Sequence, residues 1–321
     1  MGKRVLITGA SGYLGTYITR RLLAMPDIER VVGIDIRQPS HTTDKFVFVQ
    51  RDVREPLQEI IREHEVDAII HAAYVKVQIH AKALMEDINV NGARNVLRSA
   101  VESQVRQIIH MSSAAVYGFH PDNDNPLRED SPLRANDDYV YSKNKKEIEG
   151  LFRDFVKNHP EIMTAIVRPV FVVGKGFDDP MARHLRHSVV IIPTTSAPLQ
   201  FVHEDDLAEI ICMLLAKRIQ GIFNIGAAGT LTFPEMADML GHRKLFVPFK
   251  LMYYLNAVAW ALRLRSLSES PSSGLNGVRY PWIVSSEKLI RETGYVYKYS
   301  SREAFADWVR HVEGKAEVAT R

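Results

Sequence analysis

Arg4-Val-Leu-Ile-Thr8 followed by Gly9-Ala-Ser-Gly12-Tyr-Leu-Gly15 is the stretch that decides the fold. A β-branched run enters a GxxGxxG loop, and helical periodicity follows over 13–25. Strand, glycine turn and helix in that order let the backbone approach a ligand closely and aim the first helical amides at a pyrophosphate. The next apolar run, Arg30-Val-Val-Gly-Ile-Asp35, ends in a carboxylate 20 residues beyond Gly15. An acid there accepts hydrogen bonds from the ribose hydroxyls of an adenosine and repels a 2′-phosphate. That favours NAD over NADP, with Arg37 partly offsetting the repulsion.

The rhythm continues outward. Strand-like runs at 46–49, 67–71, 107–111 and 164–173 alternate with helical periodicity at 57–63, 84–103 and 139–157. Continuous apolar strands separated by helices imply a parallel sheet covered on both faces by right-handed crossovers. The expected fold is α/β, a doubly wound Rossmann sheet of six or seven strands over residues 1–174, with 201–225 returning to it. Residues 175–200 and 226–321, looser and Pro-containing, form a smaller C-terminal substrate-binding lobe.

Composition narrows the partners. The 321 residues are 46% apolar and 25% charged, which excludes disordered, collagenous and disulfide-scaffold chains. A net charge of +3 with no basic helix face is too little for a nucleic-acid footprint. The single cysteine, Cys212, lies in the apolar run 207–215 and reads as an inert core thiol in a reducing compartment. Strand-like residues begin at Lys3, Leu6 occupies the position where a myristoylation signal needs Ser or Thr, and no run is long enough to span a bilayer. The expected location is cytoplasmic. His71, His110 and His203 sit at strand ends without metal-ligand spacing, so no metal is expected.

Ser112-Ser113-Ala-Ala-Val-Tyr117-Gly118 closes one strand, and Tyr139-Val-Tyr-Ser-Lys143 opens a helix. At i and i+4, Tyr139 and Lys143 share a helix face. A phenol needs neighbouring positive charge to exchange protons at neutral pH. Ser113 would hydrogen-bond the reacting oxygen. Tyr141 and Lys145 form a competing pair about 200° round the helix. The pattern Tyr-x-x-Ser-Lys selects Tyr139.

These motifs in this order resemble the extended short-chain dehydrogenase/reductase superfamily, and within it the NAD-dependent epimerase/dehydratase family. Gln50-Arg-Asp52-Val-Arg, Ile70-His-Ala-Ala73, Asn89-Val-Asn91-Gly, Val167-Arg-Pro-Val-Phe-Val-Val-Gly174, Phe201-Val-His-Glu-Asp-Asp206 and Phe223-Asn-Ile-Gly226 resemble its further signatures. The resemblance implies hydride transfer at a carbon bearing a hydroxyl or carbonyl, with Tyr139 as general acid/base, Ser113 polarising the oxygen, and Lys143 lowering the Tyr139 pKa while holding the ribose. It also implies a cofactor-contacting set of Gly9, Gly12, Tyr13, Leu14, Gly15, Asp35, Ile36, Arg37, Asp52, Val53, His71, Ala72, Ala73, Asn89, Tyr139, Lys143, Pro169 and Val172. A homodimer built from helices 84–103 and 139–157 is a further expectation.

The sequence departs from the nucleotide-sugar pattern in the substrate half. Phe171 stands where such members usually carry Asn, and Gln200-Phe201 where they carry Arg-Asp. A ring and a neutral amide cannot neutralise a diphosphate as a guanidinium does. Arg183 and Arg186 are possible substitutes, though they read first as solvated surface charge. The expected activity is therefore NAD-dependent interconversion of a secondary alcohol and a ketone on a small or carbohydrate-like molecule. The alternatives are a UDP-sugar 4-epimerase and a non-catalytic NAD(P)-sensing protein. The apolar run 249–264 reads as a lid or core helix, with membrane-surface or partner contact as the other reading.

Overall fold

The computed structural model describes residues 2–39, 43–77, 79–264 and 267–319, with side chains as far as residue 314. The strands are β1 (Lys3–Thr8), β2 (Ile28–Asp35), β3 (Phe46–Gln50), β4 (Ala68–His71), β5 (Gln107–Met111), β6 (Met163–Pro169), β7 (Phe171–Val173), β8 (Val189–Pro193), β9 (Phe201–His203), β10 (Gly221–Ile225) and β11 (Arg243–Val247). The helices are α1 (Tyr13–Leu23), α2 (Gln58–Glu63), α3 (Lys82–Glu86), α4 (Gly92–Glu102), α5 (Val140–Asn158), α6 (Pro180–Leu185), α7 (Glu204–Ala216), α8 (Phe233–Met239), α9 (Phe249–Ala261), α10 (Asn276–Arg279), α11 (Glu287–Thr293) and α12 (Ser301–Ala319).

Seven strands form one sheet in the order β10-β6-β5-β4-β1-β2-β3, every pair parallel. Alternate residues of each strand feed opposite cores, as a period of two requires. Val5, Ile7 and Val31 pack on the face covered by α1 and α7, whereas Leu6, Val32, Ile69 and Ile108 pack on the face covered by α2, α4 and α5. The order reverses beside β1, between β2 and β4. The glycine loop after β1 therefore opens at the crevice where doubly wound sheets take their ligands.

Three expectations change. The segment 201–225 divides: β10 joins the main sheet, but β9 pairs with β7 in a separate two-stranded sheet. The long helix at 84–103 is interrupted by a π-helical turn at Asp87–Asn91. The core reading of 249–264 fails, because α9 buries only Phe249 and Ala259.

The smaller lobe has its own core, in which Phe177, Leu185, Val190, Ile192, Phe201, Phe305 and Trp308 meet. Its α6 begins at Asp179, whose carboxylate accepts from the Met181 and Ala182 amides at 3.0 Å. Its β8 and β11 form a parallel two-stranded sheet whose outer side chains Ile191, Leu245 and Phe246 are exposed.

Candidate active site

Close packing dictates the glycines of the first loop. A Cβ on Gly9, whose φ is +73°, would lie 2.7 Å from the Ala73 backbone, and one on Gly15 would fall onto the Gly9 carbonyl. Gly12 caps α1 without a side-chain hydrogen bond, and no acid lies in the first turn. The helix thus begins with its amides uncapped by any side chain. Asp35 ends β2 beside this loop, accepting from Ser11 N at 3.1 Å and Arg37 N at 2.9 Å. A close-fitting glycine loop, an uncapped helix N-terminus and a carboxylate at the end of the next strand fit a dinucleotide.

The other expected contacts are brought together unevenly. Ala72 and Ala73 lie against Gly9. Ile36 and Arg37 are exposed at the rim, while Leu14 and Val172 pack partly buried against the core. Pro169 pairs with Ile225 at the end of β6. The His71 ring turns inward, with Nδ1 2.8 Å from Thr8 Oγ1 and its face stacked 5.6 Å from His110. Burial, with Lys145 second, pushes its pKa down to about 3, so it stays neutral and can offer a ligand only its backbone. Asp52 is held by Arg54, whose guanidinium keeps the carboxyl below its usual range. Val53 is buried where Gly92 leaves room for it. Asn89, in the π turn, accepts from Val75 N at 2.8 Å and fixes the loop after β4. The Tyr13 hydroxyl is spent on Glu204, which also accepts from Lys175 N and Gly176 N.

The two overlapping tyrosine–lysine pairs face different ways. Ser113 caps a 3-10 turn after β5, its hydroxyl accepting from Ala115 N at 3.2 Å, and of the two tyrosines it is Tyr141 whose phenol pKa it lowers. α5 starts at Val140 with Tyr139 as its N-cap, so Lys143 points to solvent and Lys145 is buried. Lys145 Nζ donates to the Met111 carbonyl at 2.7 Å and lies 3.9 Å from the centroid of Tyr74. Burial pushes its pKa down to about 7. Tyr139 lies 6.1 Å from Phe119 and 5.9 Å from Tyr141, two residues before it in the chain. The helix phase carried the signal that the residue pattern did not. Ile148, Phe152 and Phe155 define the buried face of α5. At 100° per residue Tyr141 and Lys145 fall on that face, and Tyr139 and Lys143 on the opposite one.

Burial raises the Tyr141 phenol, and the Lys76 charge and the Ser113 hydrogen bond pull it back down. Lys76 comes from the loop after β4 and pairs at 3.0 Å with Asp179 at the start of α6, bridging the two lobes. Tyr74 from the same loop donates to the Tyr141 carbonyl at 3.1 Å. Sequence reading missed Tyr74, Lys76 and Asp179, because no spacing links residues that meet only across the cleft.

Next to Ser113 in the chain, Ser112 joins an ionic network that reaches solvent through Arg153, which pairs with Glu149 at 3.0 Å. Arg168 and Glu149, both wholly buried, form an ion pair. Ser112 Oγ donates to Glu149 at 2.8 Å, and Arg168 reaches the Tyr117 hydroxyl. On the substrate side Phe171 packs 4.9 Å from Trp282, which lies 5.2 Å from Phe119. Gln200 is committed to the Ala227 and Val284 backbone. Arg183 pairs with Glu269 and Arg186 with Asp178, so both carry a carboxylate already. Among the described residues no cluster of His, Cys, Asp or Glu could hold a metal, and no helix is long and apolar enough to cross a membrane. Cys212 is buried, with its thiol pushed up to about 12.

A crevice glycine loop, an acid closing β2 and a Ser–Tyr–Lys cluster on β5 and α5 define the short-chain dehydrogenase/reductase class. The profile of the NAD dependent epimerase/dehydratase family matches residues 5–226, and the chain belongs to that family. An uncharacterized Mycobacterium tuberculosis protein is 30% identical over 319 residues, covering 96% of this chain and 84% of its own. A rice UDP-glucose 4-epimerase is 29% identical over 189 residues, 54% of this chain and 45% of its own. The fold is also that of a dTDP-glucose 4,6-dehydratase from Bacillus anthracis solved with NAD, at 17% identity, TM-score 0.78 and 98% coverage of both chains. A Thermotoga maritima UDP-glucose 4-epimerase solved with UDP-glucose matches at 18% identity and TM-score 0.78, covering 98% of this chain and 99% of its own.

Proposed function

We propose that this chain is an NAD-dependent oxidoreductase of the epimerase/dehydratase family that interconverts a secondary alcohol and a ketone on a small or carbohydrate-like substrate. The observation that carries the reading is the Tyr141 phenol under the influence of Ser113 and Lys76, with buried Lys145 one turn along α5. The glycine loop and the α1 amides hold the pyrophosphate, Asp35 the adenosine ribose, and Lys145 the nicotinamide ribose. When bound, the nicotinamide supplies a hydride acceptor or donor. Tyr141 takes or returns the proton of the substrate oxygen, Ser113 steadies the charge that develops on that oxygen, and Lys76 and Lys145 favour the phenolate. The Arg168–Glu149 network holds the β5 end that carries Ser113. The protein acts in the cytoplasm, as a homodimer through α4 and α5.

A substrate without a free diphosphate agrees with Phe171, the committed Gln200 and the already paired Arg183 and Arg186. The likeness to a UDP-glucose 4-epimerase supports a second reading, in which hydride leaves and returns within one turnover. Net NADH formation with an added alcohol separates the two, since the epimerase retains NAD without net turnover. The residue assignment is tested by Tyr141→Phe and Tyr139→Phe. The first should lower kcat by about 10²–10⁴ and the second by far less; the reverse ranking overturns it.

A further inference from the structure

α9 has two apolar faces. The inner one is anchored: the Arg279 guanidinium lies 4.5 Å from the Phe249 centroid, Ser272 Oγ donates to Tyr253 O at 2.7 Å, Asn256 Nδ2 donates to Ser270 O at 3.0 Å, and Trp260 stacks 4.1 Å from His80. At 100° per residue these four positions span an arc of about 60°. Leu251, Tyr254, Leu255, Val258 and Leu262 occupy the opposite arc of about 100°. They are exposed by 50%, 67%, 60%, 58% and 65%. The strand entering the helix adds exposed Leu245 and Phe246, and the segment leaving it adds Leu264 and Leu267. A helix apolar all round is ordinarily enclosed by protein or lipid.

The charges around the stripe point to what covers it. Between Asp238 and Glu269 the chain carries Arg243, Lys244, Lys250, Arg263 and Arg265 and no carboxylate. Lys244 is already paired with Asp238, but a two-fold contact between copies would press this stripe against itself and gather the other four cations with no acid of the segment to meet them. An anionic lipid surface accepts both the side chains and the charge. Thirteen residues make a helix of about 20 Å, too short for a hydrocarbon core of about 30 Å, so α9 can lie only in the plane of the interface.

We propose that α9 docks this protein on anionic bilayers, with Leu251, Tyr254, Leu255, Val258 and Leu262 inserted among the headgroups and Lys250 and Arg263 on their phosphates. The docking is independent of the reaction assigned above. Its test is flotation of the full chain with phosphatidylcholine vesicles, with and without about 30% phosphatidylglycerol. The wild type should float with the anionic vesicles, less as salt rises, and the double variant Leu255→Glu/Val258→Glu should lose at least about tenfold in partitioning while keeping wild-type NAD binding and thermal unfolding. The proposal is overturned if the wild type stays unbound with both vesicles. It is overturned equally if the double variant floats as the wild type does, or if light scattering shows a dimer that the double variant dissociates.

Discussion

Lys145→Met should stabilise the ligand-free protein at neutral pH while removing its activity. The lysine is 5% exposed, and burial lowers its pKa from 10.5 to about 7. At about 1.4 kcal/mol for each tenfold, that drop corresponds to about 5 kcal/mol of folding free energy. Between pH 7 and 10.5 the unfolded chain holds the proton that the folded chain has lost, so this contribution to stability rises with pH. Below about pH 7 both forms are charged and the full cost stands. Methionine fills similar space without the charge, but leaves the Met111 carbonyl without its donor, a loss of about 1–3 kcal/mol. The net gain near pH 6 is then about 2–4 kcal/mol. Urea unfolding of the ligand-free wild type and variant near pH 6 and near pH 10 measures it: the variant should lead at the lower pH and lose that lead at the higher one. A variant less stable at pH 6, with the wild-type pH slope, would refute a buried ammonium at this position.

Gly15→Ala should abolish NAD retention through purification, read by mass spectrometry of the native protein, because the new methyl falls on the Gly9 carbonyl. Arg168→Met leaves the buried Glu149 carboxylate with only the part-exposed Arg153 as a cation and should cost about 3–5 kcal/mol in urea unfolding. Adding Glu149→Gln should recover more than half of that loss. Asp35→Ser should shift the ratio of NADP to NAD affinity by at least about tenfold toward NADP, measured by fluorescence titration, through loss of the carboxylate at the ribose position.

The parallel sheet and its glycine crossing were legible because they rest on local pattern. Val5, Leu6 and Ile7 are all buried, as a strand covered on both faces must be, and Gly9 and Gly15 have no space for a side chain. The tyrosine was not, because Tyr139-Val-Tyr-Ser-Lys-Asn-Lys145 holds two overlapping pairs and only the rotation of α5 against the sheet chooses between them. The cleft residues Lys76 and Asp179 were illegible for another reason. Separated by 103 positions, they meet through tertiary packing alone. The π turn at Asp87–Asn91 left no trace in the apolar periodicity, since it shifts the helix by a single residue.

The Glu204 carboxylate restricts how the two lobes can move. It is buried, takes the Tyr13 hydroxyl from the first turn of α1, and accepts the amides of Lys175 and Gly176 where the chain leaves the sheet. Side chains on Gly174 or Gly176 would collide with Glu204 or Tyr13 respectively. This crossing is a weld rather than a hinge. Opening of the cleft must be absorbed elsewhere, and the mouth that admits substrate keeps its position relative to the nucleotide loop.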